Sequence, residues 1–226
     1  MSHNKIVRLP ASEQIPTISS ELQHAAEVLE EVGFGISVFG SARIPPNHKY
    51  YKLAQELGKR LAEAGMMLIA GGGPGLMEAA NKGAYQAGGR SVGLNIRLPR
   101  ETSNNQYQTH SLQFEYFYSR KATFFMHSSA YIALPGGFGT LDELFEVMTL
   151  VQTRKLPPAP IVLMGTEFWG GLIDWIKDQL VTNKLISPED LNLLTITDDM
   201  GEVMKVINEC CSQFAIEPDC APALPQ

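Results

Sequence analysis

Met66-Met-Leu-Ile-Ala-Gly-Gly-Gly-Pro-Gly75 is the stretch on which the fold turns. Its first five residues are a short apolar run, suited to a strand buried on both faces. The glycine cluster then leads straight into a helix reaching about Ala87. The same unit returns at Tyr131-Ile-Ala-Leu-Pro-Gly-Gly-Phe-Gly139, followed by a helix carrying Leu141, Leu144, Phe145, Met148 and Val151. Working outward, apolar strands are predicted at Phe34–Gly40, Ser91–Ile96, Leu112–Phe117, Pro160–Met164 and Leu193–Ile196. Between them lie predicted helices: one capped by Asn47 with the stripe Tyr50, Leu53, Leu57 and Leu61, one from about Ser119 to Ser128, and one around Trp169 to Val181. A last helix runs through Val203, Met204, Ile207, Cys211 and Phe214. Strands alternating with helices in this way specify βα units and a parallel sheet covered on both sides.

The expected fold class is therefore α/β, a single doubly wound, mainly parallel sheet of Rossmann-like type. The chain has 226 residues, enough for one such domain. Residues 1–18 are polar, carry Pro10 and Pro16, and read as a flexible arm. The domain is placed at 19–215, opening with a helix from about Ser19 to Val32. There Ser20 and Gln23 have capping-box spacing, and Leu22, Ala25, Ala26, Leu29 and Val32 form one face. Residues 216–226, with Pro218, Pro222 and Pro225, read as a flexible tail.

A formal charge of −6 gives no global attraction to nucleic acid or anionic lipid. No apolar run approaches the roughly 18 residues of a membrane span, and the first ten residues lack the apolar core of a signal peptide. Cys210, Cys211 and Cys220 form no CxxC, and the five histidines are scattered. No metal site, cofactor or disulfide framework is expected, and the chain reads as cytoplasmic.

Open parallel sheets bind ligands at the carboxyl ends of their strands. Both glycine clusters, Gly71–Gly75 and Gly136–Thr140, occupy such ends and open helices. Glycines permit close backbone approach, and a helix start offers free N–H groups to an anion such as phosphate. Tight turning alone is the alternative. The dinucleotide fingerprint fails, because Leu76 stands where its last glycine belongs, and neither cluster is a P-loop or a nucleophile elbow. Glu143 stands at the mouth of the second cluster, yet Thr140-Leu-Asp-Glu143 is also a capping box. Arg120 and Lys121 open a predicted helix, an end at which cations are unfavourable unless an anion lies nearby. A solvated surface pair is the other reading. Phe114, Tyr116, Phe117 and Tyr118 suit either core or a wall for a flat base.

The segments Gly71-Gly-Gly-Pro-Gly-Leu-Met-Glu-Ala-Ala-Asn81, Arg120-Lys121 and Pro135-Gly-Gly-Phe-Gly-Thr-Leu-Asp-Glu143 resemble the Lonely Guy family. Its members are cytokinin riboside 5′-monophosphate phosphoribohydrolases, long labelled lysine decarboxylases. The similarity runs from about Val38 to Gly165. The family often shows R-K-x-x-M, where this chain has Arg120-Lys-Ala-Thr-Phe124. The resemblance implies that the second glycine loop binds a 5′-phosphate and that Arg120 and Glu143 serve catalysis.

The expected activity is hydrolysis of the N-glycosidic bond of a purine nucleoside 5′-monophosphate, N6-modified adenine included, to free base and ribose 5-phosphate. Gly136, Gly137, Gly139 and Thr140 would hold phosphate, with Lys121 assisting. Gly40, Ser41, Gly72, Gly73, Glu78 and Asn81 are further pocket candidates, although an exposed helix face accounts for Glu78 and Asn81 almost as well. A non-catalytic carrier of a nucleotide or phosphorylated cofactor is the competing expectation. Pyridoxal-dependent lysine decarboxylation lacks a recognisable constellation. The resemblance also implies a homodimer or larger homo-oligomer, with the first helix or the Trp169 region as possible interfaces.

Overall fold

The computed structural model describes residues 10–33, 35–98 and 104–213. Most of the expected arm, the whole of the expected tail and Phe214 lie outside them. Seven strands form one sheet: β1 (Gly35–Phe39), β2 (Met67–Ala70), β3 (Ser91–Ile96), β4 (His110–Phe114), β5 (Ser128–Ala133), β6 (Ile161–Leu163) and β7 (Leu194–Ile196). Their spatial order is β4-β3-β2-β1-β5-β6-β7, and every pair is parallel. The doubly wound expectation is met. After β1 the chain winds outward to β4, then returns to place β5 on the other side of β1. That reversal is the topological switch point, where a ligand crevice forms.

Strand side chains alternate between two cores. Ile36, Val38, Leu68, Ala70, Ala130 and Ile132 face α2 (Lys49–Glu63), α3 (Leu76–Gln86) and α7 (Met200–Gln213). Phe39, Met67, Ile69, Tyr131 and Ala133 face α1 (Ala11–Glu30), α4 (Phe117–Met126), α5 (Phe138–Gln152) and α6 (Thr166–Trp175). Burying a residue such as Leu29 or Leu57 stabilises the fold by about 2 kcal/mol, and both are fully buried.

Several boundaries differ from expectation. α1 begins at Ala11, not Ser19, and carries Pro16 inside it, so residues 11–18 are helix rather than arm. Its start has no side-chain cap, and the Ser20–Gln23 box therefore falls mid-helix. Tertiary contacts hold this helix: Ala25 and Leu29 enter the core, and the Glu21 carboxylate accepts hydrogen bonds from the Glu115 amide and the Ser119 hydroxyl. His48, not Asn47, caps α2, its ring nitrogen accepting from the Tyr50 amide at 3.2 Å. α4 starts two residues early, at Phe117. Trp169 is fully buried, its indole N–H shared between the carbonyls of Ala133 and Met164. The ring is part of the core.

Candidate active site

A cavity of about 650 Å³ opens at the carboxyl ends of β1, β2, β3 and β5. Its floor comes from Gly40, Ser41 and Arg43 after β1, from Gly71, Gly73 and Pro74 after β2, and from Asn95 and Ile96 at the end of β3. Phe117 and Arg120 of α4 and Gly137–Leu141 with Glu143 of α5 close the other side. That volume lies in the ordinary range for small-ligand sites, about 300–1,000 Å³.

The two glycine clusters play different parts. In the first, added methyl groups would strike protein. A Cβ on Gly71 would lie 2.3 Å from Arg120 Nη2, and one on Gly75 would lie 2.4 Å from the Ser41 carbonyl oxygen. The Ser41 carbonyl also accepts the first amide of α3, Leu76 N, at 2.9 Å. This cluster is where three loops pack together. In the second, a Cβ on Gly137 or Gly139 would meet nothing within 4 Å. Gly137 is the N-cap of α5 and offers no side-chain cap, so the first amides of the helix are left for an incoming acceptor. Of the two clusters, the one at the start of α5 is left open.

That start also decides between the two readings of Glu143. With Gly137 as the N-cap, Thr140 is already inside the helix and cannot form a capping box with Glu143. Instead Glu143 Oε1 accepts from Arg120 Nη1 at 3.4 Å. Arg120 is held on two further sides, Nε donating to the Leu94 carbonyl at 2.7 Å and Nη2 to the Gly71 carbonyl at 3.3 Å. Its guanidinium also lies over the Phe124 ring, 5.4 Å from the centroid, where the family pattern has Met. The reading of Arg120 and Lys121 as a solvated surface pair fails, since their side chains are only 7% and 17% exposed, and the Glu143 side chain beside Arg120 is 12% exposed. Burial disfavours both charges. It pulls Arg120 below the usual guanidinium range against the Glu143 charge, although a guanidinium remains cationic at neutral pH. It pushes Glu143 up to about 7, with Asp142 and Glu146 adding to the rise while Arg120 and Lys121 oppose it.

Lys121 is placed otherwise than expected. Its ammonium lies outside the cavity lining and pairs with Asp142 at 3.0 Å and Glu146 at 2.7 Å. Those acids hold its pKa above the usual lysine value despite burial. There it is an electrostatic neighbour of Glu143. Glu78 also lies away from the cavity, accepting the Tyr51 hydroxyl at 2.8 Å. Asn81 is fully buried, so the exposed-face reading fails too. It donates to Ser91 Oγ at 2.8 Å and the Val92 carbonyl at 3.2 Å. Gly72 and Gly136 shape their loops without lining the cavity; a Cβ on Gly136 would lie 2.1 Å from Thr140 Oγ1. Of the residues expected, the structure brings together Gly40, Ser41, Gly73, Arg120, Gly137, Gly139, Thr140 and Glu143.

Arg43, Asn95, Asn104 and Phe138 line the cavity without having been singled out as binding residues, and Phe117, expected as either core or a wall for a flat base, lines it as well. Arg43 follows the expected Gly40-Ser41 pair by two residues, and carrying the strand-end argument past Ser41 finds it. Phe117 is half exposed and faces the cavity, while Phe114 is core.

Fold and site together define a parallel α/β protein with a small-ligand cavity and a buried Arg–Glu pair at its switch point. A family model described as "Possible lysine decarboxylase" matches residues 77–207. A probable cytokinin riboside 5′-monophosphate phosphoribohydrolase of Oryza sativa subsp. japonica is 31% identical over 182 residues, covering 77% of this chain and 71% of the relative. A cytokinin riboside 5′-monophosphate phosphoribohydrolase of Arabidopsis thaliana is 30% identical over 178 residues, covering 77% and 82%. The chain belongs to this family, the Lonely Guy family. Among solved structures, the Moco carrier protein of Chlamydomonas reinhardtii is 25% identical with a TM-score of 0.56, covering 80% of this chain and 99% of its own. The molybdenum cofactor binding protein of Rippkaea orientalis, at 24% identity and a TM-score of 0.55 over 78% of this chain and 94% of its own, shares the fold.

Proposed function

We propose that this protein hydrolyses the N-glycosidic bond of purine nucleoside 5′-monophosphates, N6-modified adenine nucleotides among them, releasing base and ribose 5-phosphate. The observation that carries the reading is the buried Arg120–Glu143 pair beside the open, uncapped start of α5. In this scheme the amides of Gly137 to Thr140 receive the 5′-phosphate, and Arg43 supplies its countercharge. Arg43 is the cation lining the cavity that has no carboxylate partner among the described residues, since Arg120 is engaged with Glu143.

Cleavage breaks the bond between C1′ and the base nitrogen, and the base leaves with the bonding pair. Positive charge then develops on the ribose ring, as in glycoside hydrolysis. The Glu143 carboxylate stabilises that charge and takes a proton from the water whose oxygen bonds to C1′. The departing base ends with one proton, so one water is consumed per bond broken. Arg120 holds Glu143 in place and keeps N–H groups for a ribose hydroxyl. Phe117 offers a flat apolar surface to the base. A protonation midpoint of Glu143 near 7 suits a group that must both accept and return a proton at neutral pH.

Lysine decarboxylation by a pyridoxal cofactor would need a lysine amine in the site. No lysine lines this cavity among the described residues. The second reading is a carrier that binds without turnover, and its support is the likeness to the Moco carrier protein. Product chromatography over a panel of purine and pyrimidine monophosphates, beside a binding titration, separates the two. Base release supports the enzyme; tight binding with no base released from any nucleotide overturns it.

A further inference from the structure

Resting on that reading, we infer that Asn105, outside the cavity, is a positioning residue that sets the guanidinium of Arg120 through the first glycine loop. Its side chain is a junction. Nδ2 donates to the carbonyls of Gly72 at 3.0 Å and Gly73 at 3.2 Å, and to Asn81 Oδ1 at 3.0 Å. Its backbone amide donates to the same Gly72 carbonyl at 2.8 Å, and its Oδ1 accepts from the Tyr107 amide at 3.0 Å. Gln108 Nε2 adds a third donor on Gly72 O, at 3.1 Å. The loop that starts the catalytic cavity is thus clamped from behind by a segment that follows β3 by several residues.

The clamp reaches Arg120 in one step. Gly71 precedes the clamped peptides, its carbonyl accepts Arg120 Nη2, and the guanidinium lies so close that a Cβ on Gly71 would sit 2.3 Å from it. Gly72 has a φ of +74°, so the peptide on its amino side can be held in this orientation only while the loop keeps its left-handed turn. Asn105 fixes the next two carbonyls and thereby that turn. The far end of the clamp is rigid, because Asn81 is fully buried and bonded to β3. The phosphate end of the cavity, at the start of α5, shares none of these bonds. Loss of the clamp therefore disturbs the Arg120–Glu143 pair and spares phosphate binding.

The test compares Asn105→Ala and the milder Asn105→Ser, whose hydroxyl can still accept from the Tyr107 amide, in wild-type and Arg120→Lys backgrounds. With adenosine monophosphate as substrate, kcat is expected to fall about ten- to a hundredfold while KM changes less than about threefold, the pattern of a misplaced catalytic group. In the Arg120→Lys background the further loss should be under about threefold, because the two residues act in series. Equal losses in both backgrounds, an unchanged kcat, or loss of folding in both variants would overturn the inference. A wild-type protein that releases no base overturns the underlying reading instead, and the two failures are told apart in one assay.

Discussion

Glu143 Oε1 and Arg120 Nη1 are 3.4 Å apart in the wall of the cavity, and their burial outweighs their attraction: Glu143 is held near 7 in spite of the cation beside it. A buried pair of this kind is weak evidence of stabilisation, because desolvating two charges offsets much of their mutual gain. Under the proposed function, the pair is explained by what it does to a ligand. Its cost to the fold can be measured separately from its use.

The stability consequence has a definite sign. Glu143 is raised from 4.5 to about 7, so between those values the folded state holds a proton that the unfolded state has released. Its contribution to stability is therefore greatest below pH 4.5, declines as pH rises toward 7, and is level above. The whole shift corresponds to about 3 kcal/mol. Denaturation of wild type and Glu143→Gln across this window should show the difference moving in favour of the variant as pH rises. A difference independent of pH would contradict the assignment.

Lys121 tunes the same group. The cation lowers the proton affinity of Glu143, whereas Asp142 and Glu146, which it pairs, raise it. Lys121→Met removes the cation and leaves both acids unpaired, so the acid limb of the pH–rate profile should move to higher pH. The rate on the alkaline plateau should be largely preserved. A collapse at all pH values would make Lys121 a ligand of the substrate after all.

Arg43→Ala addresses the phosphate. A hydrogen bond to a charged group contributes about 1.5–3 kcal/mol, so KM for adenosine monophosphate should rise roughly ten- to a hundredfold. Hydrolysis of adenosine, already slow for want of a phosphate, should not change. Equal effects on both substrates would remove Arg43 from phosphate recognition.

Gly139→Ala separates fold from ligand at a single methyl. Nothing stands within 4 Å of the added carbon, and alanine is favoured over glycine in a helix by up to about 1 kcal/mol. Thermal stability should hold or rise, while affinity for the monophosphate falls about tenfold or more. Unaltered affinity, measured by titration, would move the phosphate away from the start of α5.

Much of this was legible from residues alone, and the misses share a cause. Apolar runs ending in glycines marked β2 and β5 because their signal is local. The start of α1 was not, since residues 11–18 include Pro16 and the helix begins without a side-chain cap. The spacing of Thr140 and Glu143 satisfies a capping box, but the backbone places the cap at Gly137, three residues earlier, and only the fold shows Arg120 arriving from α4. Glu78 and Asn81 share a motif with the glycine loop, yet Tyr51 of α2 and Asn105 of a distant segment engage them. No spacing rule reports partners 24 or 27 residues away.

The central claim, that the Arg120–Glu143 pair cleaves a glycosidic bond, is tested most directly by following adenine release from adenosine monophosphate with wild type and Glu143→Gln on folded, nucleotide-binding preparations. The account predicts equal amounts of adenine and ribose 5-phosphate from wild type, and a rate lowered about a hundredfold or more in the variant, the usual effect of removing one electrostatic stabiliser. Wild-type protein that binds the nucleotide and releases no base, or a variant that cleaves at the wild-type rate, would contradict it.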